Sequence, residues 1–466
     1  MRAGDWDIEW NQEKVRPGFL NERRDHSPKN REEYGMKIRI LAWKVALPTT
    51  LAFMGPAAIA QGQDTSGDPA QKLNAVTGSF SRKNALKEIT NDRAKGREIV
   101  RAAYAKAKAE RPKDTAAPYN LNALYVLGRS AYSLRENEAG AYFLKAFVDD
   151  AKKLQSPSKL IEGYNALLLF QYEVGQFEAC EKTCQEFMEL ALPQSADEDG
   201  LINKAKSNVI RRMLLCQSRL GQFDKAEKVL KRISGRGGLN PLAEQDLRCR
   251  MLREAGRLEE AIAGYQKLID MVEQDEALKK EQRDGISDEL KYTLTGLYTE
   301  TKEVDKAVKI LEELVQKEPS NPTYNNDLGY ILADNNRELE KAEKLVRRAL
   351  EEDKKRRQKA AEEADPEEKD DEETAELDNA SYLDSLGWVL FRTKRYDEAQ
   401  KALEGAVAVE AGRNTEIYDH LADVLAAKGD KAGASKYYQL ALETVSASKR
   451  DQMKKVQIEE KLKGLR

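Results

Sequence analysis

The sequence predicts an all-α protein, an array of about eight helix-turn-helix units stacked side by side. Three observations carry this. Of 466 residues, 34% are charged and only 7% aromatic, with Ala, Glu, Lys, Leu and Arg prominent, a helix-forming composition. Gly and Pro, at 28 and 13, are too few for a turn-rich β-sandwich. A helix-turn-helix pattern recurs, placing an alanine at one position of its second helix: Ala139, Ala179, Ala226, Ala261, Ala307, Ala342, Ala399 and Ala434. Successive alanines stand 40, 47, 35, 46, 35, 57 and 35 residues apart, so the unit is near 35 residues and the longer steps hold insertions.

The composition also excludes. A mean hydropathy of −0.72 rules out a polytopic membrane protein. Lys and Arg number 78 against 81 Asp and Glu, a net charge of −3, so there is no overall basic field for nucleic acid.

In chain order, residues 1–35 show no periodicity and read as a disordered or untranslated extension. Met36 is a second possible start, followed by Lys37, Arg39 and Lys44 and then a short apolar run to Ala60. That run ends in Ala58-Ile59-Ala60 before Gln61, with small residues where a signal peptidase needs them, so 36–60 reads as a signal peptide. The alternative is an uncleaved anchor. The expected location is therefore exported, either periplasmic or secreted, in a bacterium. Residues 61–89 read as a flexible leader and 90–118 as an N-terminal helical cap, with Ile99, Val100, Ala103 and Tyr104 on neighbouring turns. Repeats follow over 119–350 and 379–445. Between them, 351–378 carry 14 acids and 6 bases. The first part prolongs the preceding helix, and Asp365–Glu376 reads as a disordered insertion, either a solvated spacer or a cation- or partner-docking tail. Residues 446–466 read as a charged capping helix. Residues 61–160 carry 18 bases and 11 acids, so the array is polarised, which favours head-to-tail contacts or an acidic partner at the N-terminal end.

The clearest copies lie near the C-terminus. Asp327-Leu328-Gly329-Tyr330 leads to Ala342, Val346 and Ala349; Ser385-Leu386-Gly387-Trp388 leads to Ala399, Leu403 and Ala406; His420-Leu421-Ala422-Asp423 leads to Ala434, Tyr438 and Ala441. In the second helix these residues fall at i, i+4 and i+7, one helical face. The alanine is needed where two helices cross closely, since a larger side chain overpacks the contact. Glycine in the turns Gly175-Gln176-Phe177, Gly221-Gln222-Phe223 and Gly256-Arg257-Leu258 allows the left-handed end of the first helix.

These residues, with Leu390 and the proline Pro319 between units, resemble the tetratricopeptide repeat family, and the Asn325–Tyr330 and Tyr382–Trp388 block looks like exported bacterial members of it. Cys249 and Thr295 depart from the small residue usual at their position, as Thr183 does from a bulky one. The resemblance implies a right-handed superhelical solenoid whose first helices line a concave groove. Partners lay extended peptides or helices there. The groove residues it implies, counted from the Leu-Gly pair, are Tyr292, Asn326, Tyr330, Asp384, Trp388, Phe391, Asp419 and Asp423. Tyr330 and Trp388 are either flat anchors for a partner or packing between helices, and Asn326 is placed to bond a peptide backbone. The carboxylates make this groove acidic, suited to neutral or basic segments.

Chemistry is sparse. No His-Glu-x-x-His, phosphate-binding glycine loop or Gly-x-Ser-x-Gly is present. The two histidines, His26 and His420, have no nucleophile spaced to meet them. Cys180, Cys184, Cys216 and Cys249 lack histidine neighbours for a zinc site; they are either buried hydrophobes or, for Cys180 or Cys184 with Cys216, a disulfide across copies two and three. The sequence predicts no enzyme, no metal and no cofactor. It predicts a scaffold binding protein or peptide partners in assembly of cell-envelope or secretion components, without nucleic acid and without a membrane span after signal cleavage. The alternative is an accessory subunit of an envelope enzyme.

Overall fold

A computed structural model describes residues 69–76, 78–110, 119–192, 200–363, 378–446 and 449–465. The expected signal peptide at 36–60, the extension before it and most of the acidic insertion lie outside the described residues. After a 3-10 turn at Pro69–Ala75 come α1 (Gly78–Asn91) and α2 (Arg93–Glu110). Eight hairpins follow: α3 (Leu121–Leu134) with α4 (Asn137–Lys153), α5 (Pro157–Glu173) with α6 (Phe177–Met188), α7 (Leu201–Arg219) with α8 (Phe223–Gly235), and α9 (Pro241–Ala255) with α10 (Leu258–Glu273). Then come α11 (Lys280–Glu300) with α12 (Val304–Lys317), α13 (Pro322–Asp334) with α14 (Leu339–Glu363), α15 (Ala380–Arg392) with α16 (Tyr396–Ala408), and α17 (Thr415–Ala427) with α18 (Lys431–Glu443). A last helix, α19, spans Lys449–Gly464. No strand occurs among the described residues. This is an all-α helical repeat solenoid.

Every hairpin turn is closed the same way. A left-handed residue follows the first helix, Arg135, Gly175, Gly221, Gly256, Lys302, Asn336, Lys394 or Gly429, and the turn after α13 adds a second, Glu338. The residue after the first left-handed one donates its N–H to the carbonyl five back, as in Gln176 to Gln171 (2.8 Å), Glu303 to Tyr298 (2.7 Å) and Asp430 to Leu425 (2.9 Å). This bond satisfies a carbonyl that the end of the first helix would otherwise orphan. Four of the turns use glycine; the other four place a side chain in a conformation that costs energy, so closure of the hairpin outweighs local preference.

The turn also fixes the register of the crossing. The small residue of the second helix comes five after the left-handed one, at Gly140, Cys180, Ala226, Ala261, Ala307, Ala399 and Ala434; in α14 an extra turn residue delays it to Ala342. This corrects two expected positions. Ala179 is exposed and Cys180 holds its place, while Gly140 rather than Ala139 sits at the first crossing, where a Cβ would stand 2.6 Å from the Phe170 ring. The Leu-Gly pairs are explained by the opposite wall: a Cβ on Gly387 would meet Leu403 at 2.5 Å, and one on Gly329 would meet Val346 at 2.6 Å.

Asparagines start five first helices. Asn120, Asn240, Asn321, Asn379 and Asn414 each accept from backbone N–H groups of the first turn, and Pro241 and Pro322 follow where no N–H is needed. Between hairpins the apolar faces merge into three buried clusters that follow one another along the array.

The N-terminal leader is shorter than expected. Helix α1 occupies much of it, because Ala85 and Ile89, with Leu73 before them, are buried against the first hairpin. The helix expected over 446–466 is α19, which begins at Lys449, after α18 ends at Glu443.

Candidate partner-binding face

The eight groove positions lie on four consecutive first helices, and their own chain already engages most of them. Tyr292 on α11 is half-buried and donates its hydroxyl to Asp327. Asn326 on α13 is buried; its Nδ2 donates to Asp327 Oδ1 at 3.1 Å and its Oδ1 has no hydrogen-bond partner. Tyr330, half-buried, donates to Glu416 Oε1 at 2.9 Å. Trp388 on α15 is 8% exposed, donates Nε1 to Asp334 Oδ1 at 3.1 Å, and stacks on His420 (4.1 Å) and Phe391 (5.1 Å). Phe391 is half-buried. Asp384, 6% exposed, bonds His420 Nδ1 at 2.8 Å. His420 is therefore a buried structural group bridging α15 and α17.

The acidic end corrects the expectation of an open groove. Asp419 and Asp423 on α17 share the ammonium of Lys461 from α19, 2.8 Å from each. Lys454, two turns earlier, approaches Glu416 and Asp419 at 3.5 and 3.6 Å. Ile458 between the two lysines is fully buried. Tyr438 on α18 adds a hydroxyl to Asp423 at 2.6 Å, and burial with this bond pushes its phenol well up. Burial pulls the Lys461 ammonium down, but Asp423 and Asp419 outweigh it and hold it above the usual range. Carboxylates so poorly hydrated need cations within reach, and the chain supplies its own. The clue in the sequence was Lys454, Ile458 and Lys461 at i, i+4 and i+7 on one face of the last helix.

The same counting from Gly128 finds groove residues that the sequence reading did not single out: Tyr125, Arg129 and Tyr132. All three are half-buried, with Tyr125 edge-on to Phe147 and Tyr132 edge-on to Phe170. Arg82 lies over the Tyr125 ring at 4.7 Å, and Arg129 and Arg135 lie 6.0 and 5.8 Å from the Tyr132 ring. One hairpin on, Arg212 covers Tyr172 at 4.7 Å. Aromatic faces under guanidinium groups form a strip with both apolar area and positive charge. Glu173 beside it is raised by burial, against the pull of Arg212 and Arg135. In mid-array, burial pushes Glu289 up to about 7.

Among the described residues no group of three His, Cys, Asp or Glu side chains is placed to hold a metal ion. All four cysteines are free thiols in the core. Cys184 and Cys216 hydrogen-bond with Cys180, across the contact between α6 and α7, and this with burial keeps both protonated. Burial pushes Cys249 up to about 12. None of the described helices is long and apolar enough to cross a membrane.

A tetratricopeptide repeat family model matches residues 300–357 and 385–449. The chain is similar in structure to a thermophilic TPR protein of Thermus thermophilus, with 21% identity, a TM-score of 0.33, and coverage of 47% of this chain and 97% of that one. A Podosopora anserina protein described as a kinesin light chain with nearly identical TPR-like repeats gives 18% identity, a TM-score of 0.31, and 44% and 94% coverage. A tetratricopeptide repeat protein of Parabacteroides merdae ATCC 43184 gives 16%, 0.31, and 55% and 98%. No curated protein matches the chain. The family model spans α12 to α14 and α15 to α18, so these C-terminal hairpins match the tetratricopeptide repeat family, and the same turn closure recurs through the earlier hairpins.

Proposed function

We propose that the chain is a non-catalytic interaction scaffold that holds a segment of a partner protein along the first helices of its hairpins. The observation that carries this is the Tyr125, Arg129, Tyr132 and Tyr172 strip, half-buried on the first helices of the first two hairpins. Rings under guanidinium groups suit a segment carrying carboxylates beside apolar side chains, because each ring adds contact area and each arginine a bidentate donor. The C-terminal groove positions, with their own pairs made, support the shape of the face. The Met36–Ala60 pattern of basic, apolar and small residues supports export, and with it a role in assembling cell-envelope or secretion components.

The test is affinity capture with mass spectrometry from the native envelope, comparing the native chain with Tyr125→Ala/Tyr132→Ala. Loss of the captured partner, with helical circular dichroism unchanged, is expected; full capture by the double variant rejects the strip as the binding face. Sequencing the native N-terminus tests export, with Gln61 expected first.

A further inference from the structure

The two ends of the array touch. Arg97 on α2 reaches Glu443 at the end of α18, Nη2 to Oε2 at 3.3 Å. Arg135, in the first hairpin turn, donates through Nη2 to the Thr444 carbonyl at 3.1 Å, the cap residue of α18. These partners stand 346 and 309 residues apart in sequence. Arg93 lies beside them, its guanidinium sensing Tyr418 of α17 as well as Glu443. A cleft of about 220 Å³ opens at the seam between Arg135, Asn137 and Glu173 on one side and Glu443, Ser446 and Gln452 on the other.

This joint differs in kind from the others. Neighbouring hairpins are joined by buried apolar faces, whereas the contacts named across the seam are charged or polar. The arginines are anchored on their own side: Arg93 donates to the Ser133 carbonyl at 3.2 Å and Arg97 to the Leu134 carbonyl at 3.1 Å. They are thus held ready for an acceptor. Opposite stands the carbonyl end of α18, where the helix dipole is negative, together with Glu443. The Arg97 and Glu443 side chains are 27% and 50% exposed, so salt reaches the pair and screens it.

We propose that the seam is an electrostatic latch: a closed form, in which the first and last hairpins touch, exchanges with an open form in which the array uncoils and its inner face becomes easier to enter. The latch is a property of the free chain and stands or falls without a partner; only its bearing on access rests on the scaffold reading.

The test places spin labels on cysteines replacing two exposed residues, Lys95 on α2 and Gln439 on α18, in the full chain, and measures their separation alongside solution scattering. A short separation at about 0.02 M salt that lengthens at about 0.5 M is expected, since the screening length falls severalfold over that range. Arg97→Glu/Arg135→Glu is expected to lose the short separation at low salt with helical content intact. Arg97→Glu/Glu443→Arg, which exchanges the charges, restores it. A short separation that survives both high salt and charge reversal overturns the latch, as does a charge exchange that fails to restore it. Should the double reversal lose helical content, the salt series on the native pair of ends decides alone.

Discussion

Trp388 shows how a side chain expected at a partner surface is claimed by its own fold. Its ring stacks on His420 and on Phe391 and its N–H is taken by Asp334. Trp388→Ala is expected to lower unfolding stability by about 3–5 kcal/mol, the range for removing a large buried ring, rather than to weaken partner capture selectively; denaturant melts give the first and capture by the folded fraction the second. Glu289 carries a pH signature. Burial raises its carboxyl from the ordinary 4.5 to about 7. The folded chain therefore holds a proton there that the unfolded chain releases, and the contribution of this group to stability falls as pH rises from about 4.5 to about 7. Glu289→Gln is expected to gain melting temperature over the native chain progressively across that window and by a constant amount above it. A difference that does not vary with pH would falsify the assignment.

Among the elements, α15 and α16 illustrate how starts and crossings are specified. Asn379 accepts from the Ser381 and Tyr382 N–H groups; Asn379→Ala should cost about 1 kcal/mol in thermal or denaturant unfolding, as the loss of a cap does. Gly387→Ala should cost about 1–3 kcal/mol by overpacking against Leu403, while exposed Gly296, with nothing within 4 Å of its Cβ direction, tolerates the same change. Helix α19 is held by Lys454, Ile458 and Lys461 on one face, and its other face exposes Met453 (68%) and Val456 (56%). A chain truncated after Ser446 is expected to bind a synthetic peptide of residues 449–466, and the full-length chain to ignore it. Fluorescence anisotropy of the labelled peptide reads both, and Lys461→Glu in the peptide should abolish the binding.

At the scale of the molecule, the sequence made the repeat visible because the hairpin crossing demands small residues at a fixed spacing, which leaves a periodic trace. The last three copies were legible in detail through Gly329, Gly387 and Ala422. The first two slipped by a residue because glycine and cysteine replace alanine at 140 and 180. The site was less legible. Position on a helix face follows from counting, and the eight counted residues do lie on consecutive first helices; whether such a residue is open depends on what packs over it. Asp419 and Asp423 are covered by a helix that begins 26 residues later than Asp423, and no local pattern around them announces Lys461. The uneven charge pointed to head-to-tail contacts or an acidic partner at the N-terminal end; what the fold adds is a contact between the chain's own two ends, Arg97 with Glu443.

The closure of every hairpin by a bond spanning five residues bears on how the array assembles. Such a bond can form as soon as its own turn emerges, so each hairpin starts from contacts close in sequence and growth spreads to adjacent units. The junction of Arg97 with Glu443 joins residues 346 positions apart and must wait until the intervening units are in place. Refolding should therefore recover its helical signal first and its end-to-end proximity last, in two resolvable kinetic phases.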